Sequence, residues 1–329
     1  MLAPWPNARV ASLPPVRDSR CSMISTRDDD ALSRTVEILG NDGIIALPTE
    51  TVYGLGASIS SARAIQRVYE TKGRPTSHPL IVHLSKFDDL ERYAKEVSAD
   101  ARLCAQACWP GPLTMLVRRN ELVPDSVVGG SELVALRVPA NTFTCRVIKQ
   151  LGSPIAAPSA NMFGKVSPTT ALHVCADLGE LVDLIVDDGP CSIGVESTII
   201  DFSGDHARLV RPGGIPIEDV SELLGYPVAI TERLVPAPGT LPVHYQPRAI
   251  VRLVEQGEDP GEVVAALRGS GKQVVALRHV ESPPLLASTL YAQLREADLL
   301  GADVIVAQLP AASGLGLAVR DRLQRAAHH

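Results

Sequence analysis

Apolar positions along the chain alternate between helical and strand-like spacing. Leu32, Val36 and Leu39 recur at helical intervals, and the carboxylates of Asp28–Asp30 are expected in the first turn of this helix, where they favour its dipole. Further helices are predicted around residues 62–70, 87–96, 100–108, 142–151 and 171–178. Apolar runs between or after them lie at residues 80–84, 113–117, 133–138, 155–157, 184–186 and 197–201. This alternation predicts an α/β fold built on a mixed sheet.

The pattern changes at a proline-rich segment that begins near residue 231. Four prolines lie there with little apolar periodicity, so residues 231–249 are expected to form an extended linker. Beyond it, strands are predicted at Ile250–Val254, Val274–Leu277 and Val304–Val306, and helices near residues 260–267, 286–299 and 316–327. This order predicts a small Rossmann-like α/β domain over residues 250–329, after a larger domain over residues 25–230.

Residues 1–24 follow the pattern of neither domain. Four prolines and three arginines lie between Met1 and Met23 without a continuous apolar stretch, so a secretory signal is not expected. We expect a disordered extension, or translation that begins at Met23. The arginines leave a transit peptide as an alternative.

The composition is that of an ordinary globular protein. Of the 329 residues, 45% are hydrophobic and 21% are charged, and no apolar run approaches the roughly 18 residues of a membrane span. A net charge of −6 argues against a dedicated nucleic-acid binder, whose binding domain would be basic. The six cysteines show no zinc-binding spacing and are expected as thiols in a reducing cytosol. We therefore expect a cytoplasmic location without membrane contact.

Four apolar strands adjoin loops rich in hydroxyl, amide and charged groups. Residues 48–56, with the sequence PTETVYGLG, follow the run at 44–47, and the SAN loop at 159–161 follows the run at 155–158. EST at 196–198 and RPGG at 211–214 adjoin two further strands. Each loop alone is compatible with a structural turn. Together, such loops at strand ends are typical of a ligand crevice in an α/β sheet.

Two groups of basic residues point to bound anions. KGRP at residues 72–75 offers an arginine fork and a neighbouring lysine, which match the oxygens of a phosphate. A solvated surface turn is the alternative.

Arg137 lies inside an apolar strand, where an unpaired charge is costly. A substrate carboxylate is expected as its partner, and an ion pair with a buried glutamate is the alternative.

In their order and spacing, these motifs resemble the YrdC-like threonylcarbamoyl-AMP synthases. The resemblance rests on PTETVYGLG, KGRP, PLIVH, ALRVP, APSAN, ESTI and RPGG, and it covers about residues 25–225. HYQP at 244–247 and DRL at 321–323 resemble the two-domain form of the family. The resemblance implies a YrdC-like mixed twisted sheet with helices. It also implies a nucleotidyltransferase that makes L-threonylcarbamoyladenylate and pyrophosphate from L-threonine, bicarbonate or CO2, and ATP, for threonylcarbamoyladenosine modification of tRNA next to the anticodon.

The resemblance further implies roles for individual residues. Lys72 and Arg74 are expected to be the catalytic residues, acting on the ATP phosphates. Other nucleotide contacts are expected from His78, which stands where the family commonly carries asparagine, and from Ser159, Asn161, Ser167, Arg211 and Tyr245. The threonine or its carbamate is expected near Thr51, His83, Arg137 and Ser197. No metal-ligand cluster is expected, because Mg²⁺ is implied only by ATP chemistry and is held mainly by phosphates and water.

The expected partners follow from the same reaction. The product would pass to the downstream tRNA threonylcarbamoyl transferase machinery, and a weak direct contact with tRNA stays open. The linker is expected to close over the nucleotide as a lid, with Tyr245 against the phosphates or the base. A plain tether, with this tyrosine packed on the C-terminal domain, is the alternative. Two other functions remain: an RNA-binding module of the same fold without synthase activity, and a carbamoyl-transfer enzyme that uses carbamoyl phosphate.

Overall fold

A computed structural model describes residues 21–231, 239, 244–254, 257–278, 280 and 282–328. Its strands form two separate sheets, one before and one after the linker. Residues 1–20 of the extension predicted over 1–24 lie outside the described residues, as do residues 232–238 and 240–243 of the predicted linker.

The larger sheet belongs to the N-terminal domain. In the described residues its strands are β1 (Met23–Ser25), β2 (Ile45–Leu47), β3 (Gly54–Ser58), β4 (Ile81–His83), β5 (Leu113–Arg118), β6 (Leu133–Arg137), β7 (Ile155–Ala156), β8 (Leu184–Asp187), β9 (Thr198–Asp201), β10 (Arg208–Arg211) and β11 (Ala229–Ile230). Their spatial order is β1-β8-β2-β3-β7-β4-β6-β5-β9-β10-β11. Pairing is parallel between β4 and β6 and antiparallel between β2 and β3. The predicted mixed sheet is therefore confirmed.

Helices pack around this sheet. Their bounds are α1 (Ala31–Gly40), α2 (Ala62–Lys72), α3 (Leu90–Tyr93), α4 (Ala99–Cys108), α5 (Asp125–Val128), α6 (Thr142–Leu151), α7 (Ala171–Leu178) and α8 (Ile217–Leu224). Ser61 caps α2 by accepting a hydrogen bond from the Ala64 N–H, which satisfies one of its free donors. Gly73 ends α2 with φ of 61°, a left-handed conformation that glycine adopts without strain. The KGRP turn therefore starts at the end of α2.

Three details of the N-terminal domain differ from the sequence prediction. Asp28–Asp30 precede α1 instead of forming its first turn, because the chain turns through Asp28 before the helix begins at Ala31. The helix predicted over 87–96 is a 3-10 turn at Phe87–Asp89 followed by the short α3. Residues 21–24 are not part of a disordered extension, since β1 pairs with β8 and buries Ile24.

The C-terminal domain has the predicted Rossmann-like order. Its strands are β12 (Ile250–Val254), β13 (Val274–Ala276) and β14 (Val304–Gln308), and its helices are α9 (Pro260–Gly269), α10 (Pro283–Leu299) and α11 (Leu315–Ala327). The strand order is β12-β14-β13, and both pairings are parallel. Asp259 caps α9, and Pro260 opens it at a position where a missing N–H is harmless.

The two domains share a buried apolar cluster. Val195 of the N-terminal domain packs with Tyr291 of α10 and Val319 of α11 in this cluster. Next to it, Gly194 has φ of 77°, and a Cβ there would lie 2.5 Å from the backbone of Ser288. Only a glycine allows this approach of the two backbones, so the domains are docked directly against each other.

The cysteines depart from the expectation of six thiols. Cys21 and Cys175 form a disulfide that joins the segment before β1 to α7, with their Cα atoms 5.9 Å apart. Cys104, Cys108, Cys145 and Cys191 are free. No local pattern indicates this pair, because its members are 154 positions apart. In the described part of the chain, no helix is both long and apolar enough to cross a bilayer.

Candidate active site

A cleft in the N-terminal domain brings together two thirds of the predicted site residues. Because β4 and β6 are parallel and in register at His83 and Arg137, these two side chains reach the same edge of the sheet. The predicted residues that line the cleft are Thr51, Arg74, His83, Arg137, Ser159, Ser197, Arg211 and Tyr245. Lys72, His78, Asn161 and Ser167 do not line it. We call Glu50, Thr51, His83 and Arg137 the Arg137 side, and Arg74, Ser159, Arg211 and Tyr245 the Arg211 side.

Arg137 on the Arg137 side is buried and already paired. Its guanidinium lies 2.7 Å from Glu50 Oε1 and donates to Thr51 Oγ1 at 3.0 Å and to the Gly111 carbonyl at 3.1 Å. Glu50 Oε2 also accepts from the Ala140 N–H at 3.0 Å. The ion pair with a glutamate is therefore present, yet Arg137 itself faces the cleft. A ligand carboxylate entering the cleft would meet this cation.

His83 is a neutral imidazole beside Arg137. Burial, with a further contribution from Arg137, lowers its pKa to about 3. Its Nδ1 is buried and has no hydrogen-bond partner among the described residues. A buried polar atom without a partner is costly, so a ligand hydroxyl or amine at this point would be favoured.

Arg74 and Arg211 place two buried cations on the Arg211 side. Arg74 donates to the carbonyls of His78 at 3.2 Å and Pro79 at 2.9 Å, and burial lowers its pKa to about 10. Arg211 donates to the Ser197 carbonyl at 2.7 Å and the Ser197 hydroxyl at 3.2 Å. Both guanidinium groups line the cleft. Two such cations in a site of low solvent exposure suit a polyanion.

Lys72 supports the cleft from behind instead of facing it. Its ammonium donates at 2.5 Å to the carbonyls of both Ser159 and Asn161, and burial lowers its pKa well below the usual value. Asn161 donates to the Met162 and Lys165 carbonyls, while its Oδ1 is buried without a partner among the described residues. Lys72 and Asn161 therefore fix the shape of the loop that presents Ser159.

His78 lies outside the cleft lining. Its ring contacts the edge of Phe163, with 5.5 Å between the ring centroids, and Arg74 lies over the same Phe163 ring. The His78 carbonyl, not its imidazole, binds Arg74. Burial together with Arg74 lowers the pKa of His78.

Ser167 binds a carboxylate of the protein. Its hydroxyl donates to Glu196 Oε1 at 2.7 Å. Glu196 Oε2 accepts from Tyr291 at 2.8 Å and from Arg322 Nε at 2.7 Å, both from the C-terminal domain. Although burial alone would raise it, Arg322 and Arg211 lower the pKa of Glu196 to about 2. This network joins the two domains at the wall of the cleft.

Tyr245 faces both the cleft and the C-terminal domain. Its ring stacks on Tyr291 with 5.7 Å between centroids, and the guanidinium of Arg322 lies 4.9 Å from its ring centre. Its hydroxyl is buried without a partner among the described residues, and a Cβ on Gly239 would lie 2.5 Å from it. Tyr245 therefore packs on the C-terminal domain and also lines the cleft; its closure over a nucleotide stays a prediction.

Comparisons with known proteins show the family to which the chain belongs. Residues 37–213 match a family model described as telomere recombination, and residues 215–328 match the C-terminal domain of threonylcarbamoyl-AMP synthase. A threonylcarbamoyl-AMP synthase of Pyrococcus abyssi is 39% identical over 305 residues, which are 86% of this chain and 90% of that protein. One of Bacillus subtilis is 35% identical over 91% of this chain and 94% of that protein. The chain belongs to the threonylcarbamoyl-AMP synthase family.

Structural similarity extends over both domains of this family member. The solved structure of Pyrococcus abyssi Sua5 in complex with L-threonine superposes with a TM-score of 0.87 at 36% identity, over 93% of this chain and 97% of that one. The predicted two-domain form of the family is thereby confirmed. Family membership favours the synthase over the RNA-binding module that the sequence left open.

Three charged residues of the site were missed by the sequence prediction. Glu50 and Glu196 lie inside the PTET and EST motifs, next to the predicted site residues Thr51 and Ser197. Arg322 lies in the DRL motif. A signal was present, because Arg322 falls on the apolar face of α11 beside Val319 and Leu323, and a charge at such a position needs a buried partner.

Proposed function

We propose that this protein is a nucleotidyltransferase that makes L-threonylcarbamoyladenylate and pyrophosphate from L-threonine, bicarbonate or CO2, and ATP. The observation that carries the proposal is one cleft that combines Arg137 and His83 with Arg74 and Arg211. The reaction needs an amino-acid carboxylate, a carbamate and a triphosphate in one place. A cleft with three buried cations suits that set of anions.

The chemistry has two bond-forming steps. The threonine amine attacks CO2 and loses a proton, which gives a carbamate; starting from bicarbonate, the same carbamate forms with loss of a water molecule in place of the proton. A carbamate oxygen then attacks the α-phosphorus of ATP, and the bond from this phosphorus to the oxygen of the leaving pyrophosphate breaks. Neither step requires a covalent bond to the protein, so positioning and charge stabilisation would supply most of the rate.

We assign the threonine to the Arg137 side and the nucleotide to the Arg211 side. Arg137 would bind the threonine carboxylate, with Thr51 and the open Nδ1 of His83 as hydrogen-bonding groups beside it. Arg74 and Arg211 would bind the phosphates, and Ser159 and Tyr245 would contact the nucleotide. The Ser197 hydroxyl accepts a hydrogen bond from Arg211 and shares another with the Thr114 hydroxyl. This position would place Ser197 where the two substrates meet. Lys72, Asn161 and Ser167 would act by shaping the walls.

Mg²⁺ would enter with the nucleotide. The carboxylate that lines the cleft, Glu196, is committed to Arg322, Tyr291 and Ser167. Among the described residues, no group of three or more metal-ligating side chains occurs. The protein groups therefore do not fit a dedicated metal site, and phosphates with water are the ligands we propose.

The proposed product suggests which proteins act downstream of this one and where in the cell they act. The adenylate is a labile donor, so we propose that it passes to tRNA threonylcarbamoyl transferase machinery in the cytoplasm. The acidic balance of the chain offers little general attraction for tRNA, so any direct contact with tRNA would be weak.

A substrate-omission assay tests the proposed function. Pyrophosphate release by the purified protein should require ATP, L-threonine and bicarbonate together. The same samples should contain threonylcarbamoyladenylate by mass spectrometry when all three are present. Release that proceeds equally well without threonine would contradict the synthase assignment.

A further inference from the structure

Arg322 belongs to the last helix of the chain, yet it contacts three segments that form the wall of the cleft. Its side chain is completely buried. Nε donates to Glu196 Oε2 at 2.7 Å, Nη2 donates to the Pro212 carbonyl at 3.0 Å, and the guanidinium lies against the Tyr245 ring. Arg322 thereby joins the EST loop, the RPGG loop and the linker from the C-terminal domain.

Glu196 is the centre of this arrangement. Arg322 and Tyr291 bind one of its oxygens, and Ser167 binds the other. Such a carboxylate needs a cation beside it, because an unpaired charge in a buried site is costly. Arg322 supplies that cation from a position outside the cleft lining.

Arg211 lies beside Glu196: its guanidinium donates to the carbonyl and hydroxyl of Ser197, the next residue in the chain, and both Arg211 and Glu196 line the cleft. Each of the two groups shifts the pKa of the other. If Arg322 were removed, the attraction between Glu196 and Arg211 would have no competing cation of equal strength. Arg211 would then turn toward Glu196 and away from an anion in the cleft.

We propose that Arg322 is a positioning residue for the nucleotide: by binding Glu196, it keeps Arg211 directed to the cleft, and by contacting Pro212 and Tyr245, it fixes the wall that Glu196, Arg211 and Tyr245 line. This inference rests on the proposed function, since it assumes that the Arg211 side binds ATP. It assigns the C-terminal domain a direct part in building the nucleotide site.

Steady-state kinetics on four variants test the inference. Arg322→Met should raise the KM for ATP about tenfold while the KM for threonine changes less than about twofold. Arg322→Lys keeps a charge near Glu196 and should give an intermediate KM for ATP. The double variant Arg322→Met with Glu196→Gln should recover to within about threefold of the parent, because the neutral amide no longer attracts Arg211. Arg320→Gln, on the same helix with a contact to the Pro310 carbonyl, is the matched control and should equal the parent.

Recovery of the KM for ATP in the double variant would show that Arg322 positions Arg211 and does not merely support the fold. If Arg322 only held α11 in place, the double variant would be no better than Arg322→Met, and that result would overturn the inference. Equal increases in both KM values, or no change in either, would also overturn it. Arg322→Lys, checked by circular dichroism, keeps the test valid if Arg322→Met does not fold. An inactive parent would refute the proposed function instead, so the two failures are distinct.

Discussion

The cleft contains two buried arginine–glutamate pairs that face it in opposite senses. In the Arg137–Glu50 pair the arginine lines the cleft and the glutamate stands behind it, whereas in the Arg322–Glu196 pair the glutamate lines the cleft and the arginine is covered. The first pair lies within the N-terminal domain, and the second joins both domains. The same ion pair can therefore present a cation to a substrate or neutralise a wall, depending on which partner faces the ligand.

The two arginine–glutamate pairs should differ most in how much each contributes to the free energy of unfolding. Arg322→Met leaves the buried carboxylate of Glu196 without its cation and should lower the free energy of unfolding by about 3–5 kcal/mol. Arg137→Met should cost less, about 1–3 kcal/mol, because water from the cleft can enter the space and Glu50 keeps its bond from the Ala140 N–H. Urea denaturation of both variants measures the two losses. Equal losses of unfolding free energy in the two variants would mean that it makes no difference to stability which partner of an ion pair faces the cleft.

The Arg322–Glu196 pair should also contribute most to the loss of folding stability at low pH. The pKa of Glu196 is lowered from 4.5 to about 2 in the folded protein, so its contribution is complete above pH 4.5 and is lost as the pH falls toward 2. Its size is about 3 kcal/mol. The stability advantage of the parent over Glu196→Gln should shrink across this range, which denaturation at several pH values would measure. A constant difference from pH 5 to pH 2.5 would contradict the assignment of the ionised pair.

The hydroxyls of the stacked tyrosines Tyr245 and Tyr291 should differ in their effect on stability, by a smaller amount than the two ion pairs. Tyr291→Phe removes the hydroxyl that donates to Glu196 and should cost about 1.5–3 kcal/mol. Tyr245→Phe removes a buried hydroxyl that has no partner among the described residues, so thermal stability should stay the same or rise slightly. Melting temperatures of the two variants provide the test. A larger loss for Tyr245→Phe would show that its hydroxyl has a stabilising partner.

Most of the fold follows from apolar spacing. The predicted helix over 142–151 and the predicted strand Ile250–Val254 coincide with α6 and β12, because their apolar positions match a single period. The helix over 87–96 was less well predicted, since a 3-10 turn and a short helix share the same local spacing. The Cys21–Cys175 disulfide depends on a tertiary contact that no local pattern records.

The site was predicted less completely than the fold, for a physical reason. Motifs identify which residues gather at strand ends, and Arg137 and His83 do meet there. They do not show whether a side chain faces the ligand or the protein. Lys72 turns to two backbone carbonyls and Ser167 turns to Glu196, because buried donors and acceptors bind the partners that the fold brings to them.

The central claim, that one cleft has a threonine side and a nucleotide side, is tested most directly by calorimetric titration of two variants. Arg137→Ala should weaken L-threonine binding at least about tenfold, or 1.5–3 kcal/mol for the lost charge-assisted contact, while ATP binds as in the parent. Arg74→Ala should show the reverse: ATP binding weakened by a similar factor and threonine binding unchanged. Parent-like binding of both ligands in both variants, or equal loss of both ligands in each, would contradict the account.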